Sequence, residues 1–158
     1  MEKMVVRGVA KDENVARISL VDIPDHPGIA YRVFALLAAK RVNVDIILQS
    51  IGRDGSQDIS FTVPSTDKDL AVEVLNEQLD ILGAKRVVAV DNIAKVSIVG
   101  AGMQSNPGVA AQMFEALSNE GINIQMISTS EIKISVLIDR PDADRAVNAI
   151  HRAFALND

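Results

Sequence analysis

The chain contains no cysteine and no tryptophan. Without thiolates there is no disulfide framework, no sulfur-ligated metal site and no cysteine nucleophile. Aromatic residues make up 3% of the 158 residues. The central strand-like segments read ISLV, IILQ, ISFT and VSIV, with Phe61 as their one ring. An RNA-recognition sheet needs more, because it stacks bases on central-strand aromatics. No apolar run approaches the ~18 residues of a membrane helix, and the N-terminal MEKMVVRG lacks the apolar stretch of a signal peptide. Net charge is −5, which disfavours a polyanion partner. These features predict a soluble, cytoplasmic protein that binds neither nucleic acid nor membrane.

Groups suited to catalysis are equally scarce. His151 falls on the last helical segment, where a surface position is the default. His26 sits in a Pro-Gly loop and suits either a plain loop position or a ligand contact. The carboxylates are scattered at helix starts and turns, where capping or solvation is their usual role. Gly100-Ala101-Gly102 follows a strand, yet the third glycine of a dinucleotide fingerprint would fall on Ser105. No P-loop is present. The expectation is no metal site, no cofactor and no catalytic residue.

What the chain does have is an internal repeat. Pro27-Gly28 recurs as Pro107-Gly108, 80 residues on, and the same offset joins Ala30 to Ala110, Phe34 to Phe114, Leu37 to Leu117, Asn43 to Asn123 and Ile47 to Ile127. Upstream, RISLV from Arg17 matches KVSIV from Lys95 at an offset of 78. A period near 80 is too long for a solenoid unit and suits one small α/β module. In the first copy, a strand at 16–23 breaks at PDHPG. Pro27 suits the first turn of a helix, where its missing N–H is no loss. Apolar residues at helical spacing carry that helix to about Arg41. Strands follow at 44–49 and 58–63, separated by the turn GRDGSQ. Thr66 and Asp69 have capping-box spacing, a helix ends near Gly83, and a strand covers 86–90. The order is βαββαβ, the split βαβ or ferredoxin-like arrangement.

The second copy repeats this with strands at 95–99, 124–128 and 133–138 and helices at 108–119 and 142–154. It lacks a fourth strand, which would leave an open sheet edge. The unused apolar segment at 4–9 can fill that place. The predicted fold is therefore α+β, two ferredoxin-like modules with the first inserted into the second. The domain boundaries are 15–92 for one and 1–14 plus 93–158 for the other.

Each Pro-Gly loop opens a helix. Free N–H groups and the positive dipole end there favour an anion such as a carboxylate, and Gly28 and Gly108 allow close backbone approach. Asp25 could hold an ammonium group. Asn43, Asp45 and Gln49 follow at near-alternate positions. Such a set suits a free amino acid. PDHPG equally suits a plain turn with a helix cap.

The segments VVRGVA, DHPGIA, VGAGMQSNPGVAAQMFEAL and GINIQMISTSEIKISVLI resemble the regulatory region of aspartate kinase, a tandem pair of ACT domains. The resemblance covers essentially the whole chain, and ISTSEIKIS is its most specific part. It implies a non-catalytic regulatory subunit or domain. Such a region binds threonine, and in some members lysine as well, for feedback inhibition of the aspartate pathway. The kinase domain with its Lys-Phe-Gly-Gly motif is absent from this sequence, so the resemblance implies no aspartate phosphorylation by this chain alone. Its partners would be the catalytic kinase subunit or domain and a second copy in a homodimer. A separate small subunit and the C-terminal part of a longer enzyme both suit Met1. The alternative is an assembly module of a kinase that binds no ligand.

By the same resemblance, effector-binding positions fall on Asp25, Pro27, Gly28, Ile29 and Ala30 of the first loop. Asn43, Val44, Asp45 and Gln49 follow, and Asn123 and Ile124 of the second module complete the site. Ile29 and Ile124 could also serve packing. A second effector site would involve Val109, Ala110, Ser130 and Glu131. Some dually inhibited members carry Thr where this chain has Ala110, a departure that bears on that second site.

Overall fold

The computed structural model describes residues 6–52, 54–101 and 106–155. Its chain divides into two compact units, an inserted unit of Asn14–Asp91 and an outer unit of Met1–Glu13 with Asn92–Asp158. Strand β1 (Val6–Asp12) opens the described chain and belongs to the outer unit. The inserted unit then runs β2 (Ala16–Ile23), α1 (Ile29–Ala39), β3 (Ile47–Ile51), β4 (Gln57–Val63), a 3-10 turn (Ser65–Asp67), α2 (Lys68–Glu77), α3 (Leu79–Leu82) and β5 (Arg86–Val90). Its antiparallel sheet has the order β3-β4-β2-β5.

Period-two alternation builds one face of this sheet. Ala16, Ile18 and Leu20 of β2 and Ile59, Phe61 and Val63 of β4 enter the core. Ile29, Val33 and Leu37 of α1, spaced four apart on one helical face, cover them together with Ala71 and Leu75 of α2. Phe34 stands edge-on to Phe61, with ring centroids 5.4 Å apart and planes at 75°.

The outer unit continues with β6 (Ile93–Gly100), α4 (Pro107–Asn119), β7 (Met126–Thr129), β8 (Lys133–Asp139), a 3-10 turn (Arg140–Asp142) and α5 (Ala143–Ala153). Its sheet order is β1-β6-β8-β7. The N-terminal strand supplies the position that the second repeat lacks, antiparallel to β6 from Val6↔Gly100 to Asp12↔Lys95. Met4 and Val5 of the expected strand lie outside the described residues. Val96, Ile98, Ile134, Val136 and Ile138 form the inner face under Val109, Met113 and Leu117 of α4 and Ile150 and Phe154 of α5.

Three local expectations change. The strands expected at 44–49 and 124–128 begin later, at Ile47 and Met126. Before β3, the Asp45 N–H donates to the Thr62 carbonyl (3.1 Å) while the Ile46 N–H donates to the Thr62 hydroxyl (3.0 Å). Two residues thus face one, as in a bulge, and regular pairing waits until it is passed. Pro27 is not in the first turn of α1, because Gly28 takes the N-cap at φ 91°. Pro107 does hold that place in α4, after Asn106. The Thr66–Asp69 capping box does not form. The 3-10 turn comes first, its Asp67 N–H bound to the Pro64 carbonyl at 2.8 Å, and no side chain caps α2. Gly102 and Ser105 lie outside the described residues.

Gly83 ends α3 at φ 75°. A Cβ there would stand 3.0 Å from Pro24 Cγ. Gly83→Ala is therefore expected to destabilise the inserted unit by about 1–3 kcal/mol. A thermal melt checks this, and an unchanged midpoint would refute it.

Candidate functional site

The first Pro-Gly loop joins β2 to α1. Asp25, His26, Pro27 and Gly28 are exposed, Ile29 is buried in the core and Ala30 is half-buried. Ile29 N–H donates to the His26 carbonyl at 3.4 Å. Among the described residues no side chain caps α1, and its first turn carries no acidic group. The positive end of the helix is therefore open to an anion. The start of α4 shares both properties.

Strand register shows which candidates the inserted unit brings together. Ile51 pairs with Gln57, and Gln57 pairs with Ile23. The end of β3 and the entry to the 24–28 loop thus lie at one end of the sheet. Gln49, opposite Ile59, is exposed two residues from that end. The open start of α1, the Asp25 carboxylate and the Gln49 amide consequently occupy one end of this unit. The β3–β4 turn lies at the same end. There Asp54 accepts from the Ser56 hydroxyl (2.6 Å) and N–H (3.1 Å), which holds its carboxyl below the usual range.

Asn43, Val44 and Asp45 are elsewhere. They lie beside Thr62, which pairs with Arg17 near the start of β2. Arg17 and Ile23 are six residues apart, about 20 Å along a strand. The inserted unit therefore separates a loop end, with residues 25–30 and Gln49, from an amide end, with residues 43–45.

The outer unit has the same division. The Gln125 N–H donates to the Leu137 carbonyl at 2.8 Å, so exposed Asn123 and half-buried Ile124 lie at its amide end. Ser130 and Glu131 form the exposed β7–β8 turn. The Ser130 N–H donates to the Lys133 carbonyl at 2.8 Å, and the Gly100 N–H to the Ile132 carbonyl at 2.9 Å. This turn thus sits at the loop end, with the start of α4. Val109 is buried in the core and Ala110 packs against it.

One feature of the site carries no motif. Ile47 and Ile51 flank Gln49 on β3, 52% and 68% exposed, and Ile127 on β7 is similarly open. Both are edge strands, so these apolar side chains stand exposed at the margins of their sheets. The I-x-Q-x-I alternation was the available signal.

Residues 18–79 and 96–154 match the ACT domain. The chain is 45% identical over 157 residues to an aspartokinase of Pseudomonas aeruginosa. A chain from the crystal structure of aspartokinase alpha and beta subunits superposes with a TM-score of 0.90 at 48% identity, covering 96% of this chain and 99% of that one. The ligand-free regulatory subunit of aspartate kinase from Thermus thermophilus gives a TM-score of 0.90 at 44% identity with the same coverage. The chain belongs to the ACT-domain family, as a regulatory region of aspartate kinase.

The match to the Pseudomonas aspartokinase takes in 99% of this chain but only 38% of that enzyme's length. The inserted unit runs βαββαβ, the outer unit reaches the same sheet order with β1 in place of the last strand, and the Pro-Gly loops of both open onto helices with no side-chain cap. Among the described residues no group of three or more His, Asp or Glu side chains could hold a metal ion. No helix among them is long and apolar enough to cross a membrane.

Proposed function

We propose that this chain is the feedback-regulatory region of an aspartate kinase, binding threonine at the loop end of the inserted ACT unit, with lysine as a candidate second effector. The observation that carries the reading is the uncapped start of α1 at the same end as Asp25 and Gln49. The effector carboxylate meets the helix N-terminus, its ammonium meets Asp25 and its side chain meets Gln49. Val44 and Asp45, with Asn43, belong to the opposite end and correspond by repeat to the 123–125 segment.

The exposed apolar edge strands support a homodimer in which the loop end of the inserted unit in one copy meets Asn123 and Ile124 of its partner. A second effector site at the 107–110 helix start, with Ser130 and Glu131, follows by the same symmetry. The catalytic partner is an aspartate kinase subunit or domain, and the setting is the cytoplasmic amino-acid pool. The effector acts through differential affinity for two arrangements of the enzyme, typically about 1–3 kcal/mol of coupling.

Calorimetry with L-threonine, L-lysine and both together tests this. Saturable threonine heat is expected. Asp25→Ala and Gln49→Ala, both at exposed positions, are each expected to weaken it about tenfold with little change in melting temperature. Unchanged affinity in both variants would remove these roles. No heat with either amino acid, and no thermal shift, would favour a ligand-free assembly module. Sedimentation at saturating threonine should give a dimer, and a monomer would overturn that part.

A further inference from the structure

The chain enters the 24–28 loop under unusual constraint. The β2–β4 register slips between Leu20 and Ile23, and Asp22 takes φ 57°, a left-handed conformation that Asp tolerates better than most residues. Four contacts hold the entry. The Val21 carbonyl accepts from Lys85 N–H at 2.8 Å. The Asp22 N–H donates to the Asp58 carboxylate at 2.8 Å. The Gln57 side-chain amide donates to the Pro24 carbonyl at 3.2 Å. The Pro24 ring packs so closely on Gly83 that no Cβ fits there without a shift.

Gln57 stands out because it is 3% exposed. A buried amide is tolerated only when hydrogen-bonded, and the partner here is the loop. The repeat provides an internal control. Ser60 pairs with Ser19 as Ser135 pairs with Ser97, so Gln57 and Asp58 correspond to Ile132 and Lys133. Ile132 is 58% exposed. At the position matching Asp22, Gly100 donates instead to a backbone carbonyl. The ACT fold therefore does not itself require the amide and carboxylate of the inserted unit.

We infer that Gln57 and Asp58 are positioning residues for effector recognition, clamping Asp22 and Pro24 so that Asp25 and the α1 N-terminus hold a binding-ready geometry. The inference rests on the amino-acid reading of this loop. Residues 25–28 are exposed, so their geometry is set from this entry. A loop fixed before the ligand arrives spares the ordering cost at binding.

The test compares the chain with Gln57→Met, Asp58→Ala, Asp58→Asn and Asp25→Ala. The readouts are L-threonine and L-lysine calorimetry, thermal melting, and amide hydrogen exchange over residues 25–31 without ligand. Gln57→Met and Asp58→Ala are expected to weaken effector binding about five- to tenfold and to speed exchange in that segment. Asp58→Asn, whose amide oxygen still accepts the Asp22 N–H, should bind like the parent. A purely structural role would lower the melting point without this split between Ala and Asn. Should Gln57→Met fail to fold, the half-buried Asp58 pair decides. If Asp25→Ala loses binding while the Gln57 and Asp58 variants match the parent in affinity and exchange, the clamp is overturned. If the parent binds neither amino acid but the variants still speed exchange, the amino-acid reading falls and the clamp stands.

Discussion

Deleting residues 1–13 is expected to unfold the outer ACT unit and leave the inserted unit folded. The strand removed is an edge of the outer sheet, yet its inner face is part of the core. Val6 is buried among Ile98, Met113 and Ile150, and Val9 packs against the same cluster. The β1–β6 ladder runs the length of the strand. Lys11 pairs with Asp144 of α5, which raises its pKa through the hydrogen bond, and the Glu13 carbonyl accepts from the Arg140 guanidinium at 2.8 Å. Burial of one Val side chain contributes about 1.5–3 kcal/mol, and each ladder hydrogen bond about 0.5–1.5 kcal/mol. Together these exceed about 5 kcal/mol, comparable to the whole stability of a small domain. The inserted unit loses nothing in the cut, because all four of its strands lie within Asn14–Asp91. Two-dimensional NMR of residues 14–158 should show dispersed peaks from the inserted unit beside collapsed peaks from the rest. Residues 14–91 alone should give the same dispersed set. A single melt like that of the full chain would refute the prediction.

This dependence was legible because it is a matter of counting. Two repeats need eight strands, and the eighth had to come from the N-terminus. Core strands were legible too, since ARISLVDI alternates and KISVLID is a short, largely apolar run between charged residues. The strands expected at 44–49 and 124–128 begin three and two residues later. The start of β3 is set by a bulge against Thr62, whose hydroxyl accepts from Ile46 N–H sixteen residues away, and no local pattern reports that. The same Pro-Gly dipeptide plays two parts. Gly28 turns left-handed at the N-cap position of α1, whereas in α4 that position falls on Asn106 and Pro107 begins the helix. For the site, repeat and loop chemistry pointed to residues 25–30 and Gln49. The register then separated them from Asn43 and Asp45, which sequence proximity had grouped together. Gln57 had no signal at all. A polar residue at the head of an alternating strand reads as surface, and only the fold shows it buried against Pro24.

Phe61→Ala is expected to be the most damaging single substitution of the inserted unit. Phe61 is fully buried on a central strand. Truncation of a buried Phe costs about 3–5 kcal/mol, and that value includes the lost edge-to-face contact with Phe34, a pair of a type that contributes about 0.5–1.5 kcal/mol. The spread in such costs depends on how far the surroundings collapse, and here the neighbours are a sheet and a helix fixed at both ends. For a unit of this size the loss corresponds to a fall in melting temperature of more than about 12 °C. The outer unit holds Val136 at the matching register position, in a cluster of its own, so its melt should stay in place and the single transition should split in two. Phe34 lies on α1, whose start is the proposed effector site. The variant should therefore lose the threonine-induced thermal shift of the inserted unit together with its stability. Phe61→Leu, which keeps most of the volume, should restore both in large part. A Phe61→Ala chain that melts within a few degrees of the parent would show that the aromatic pair is not what holds α1 to the sheet, and the link from core packing to effector site would have to be sought in Ile29 and Val33 instead.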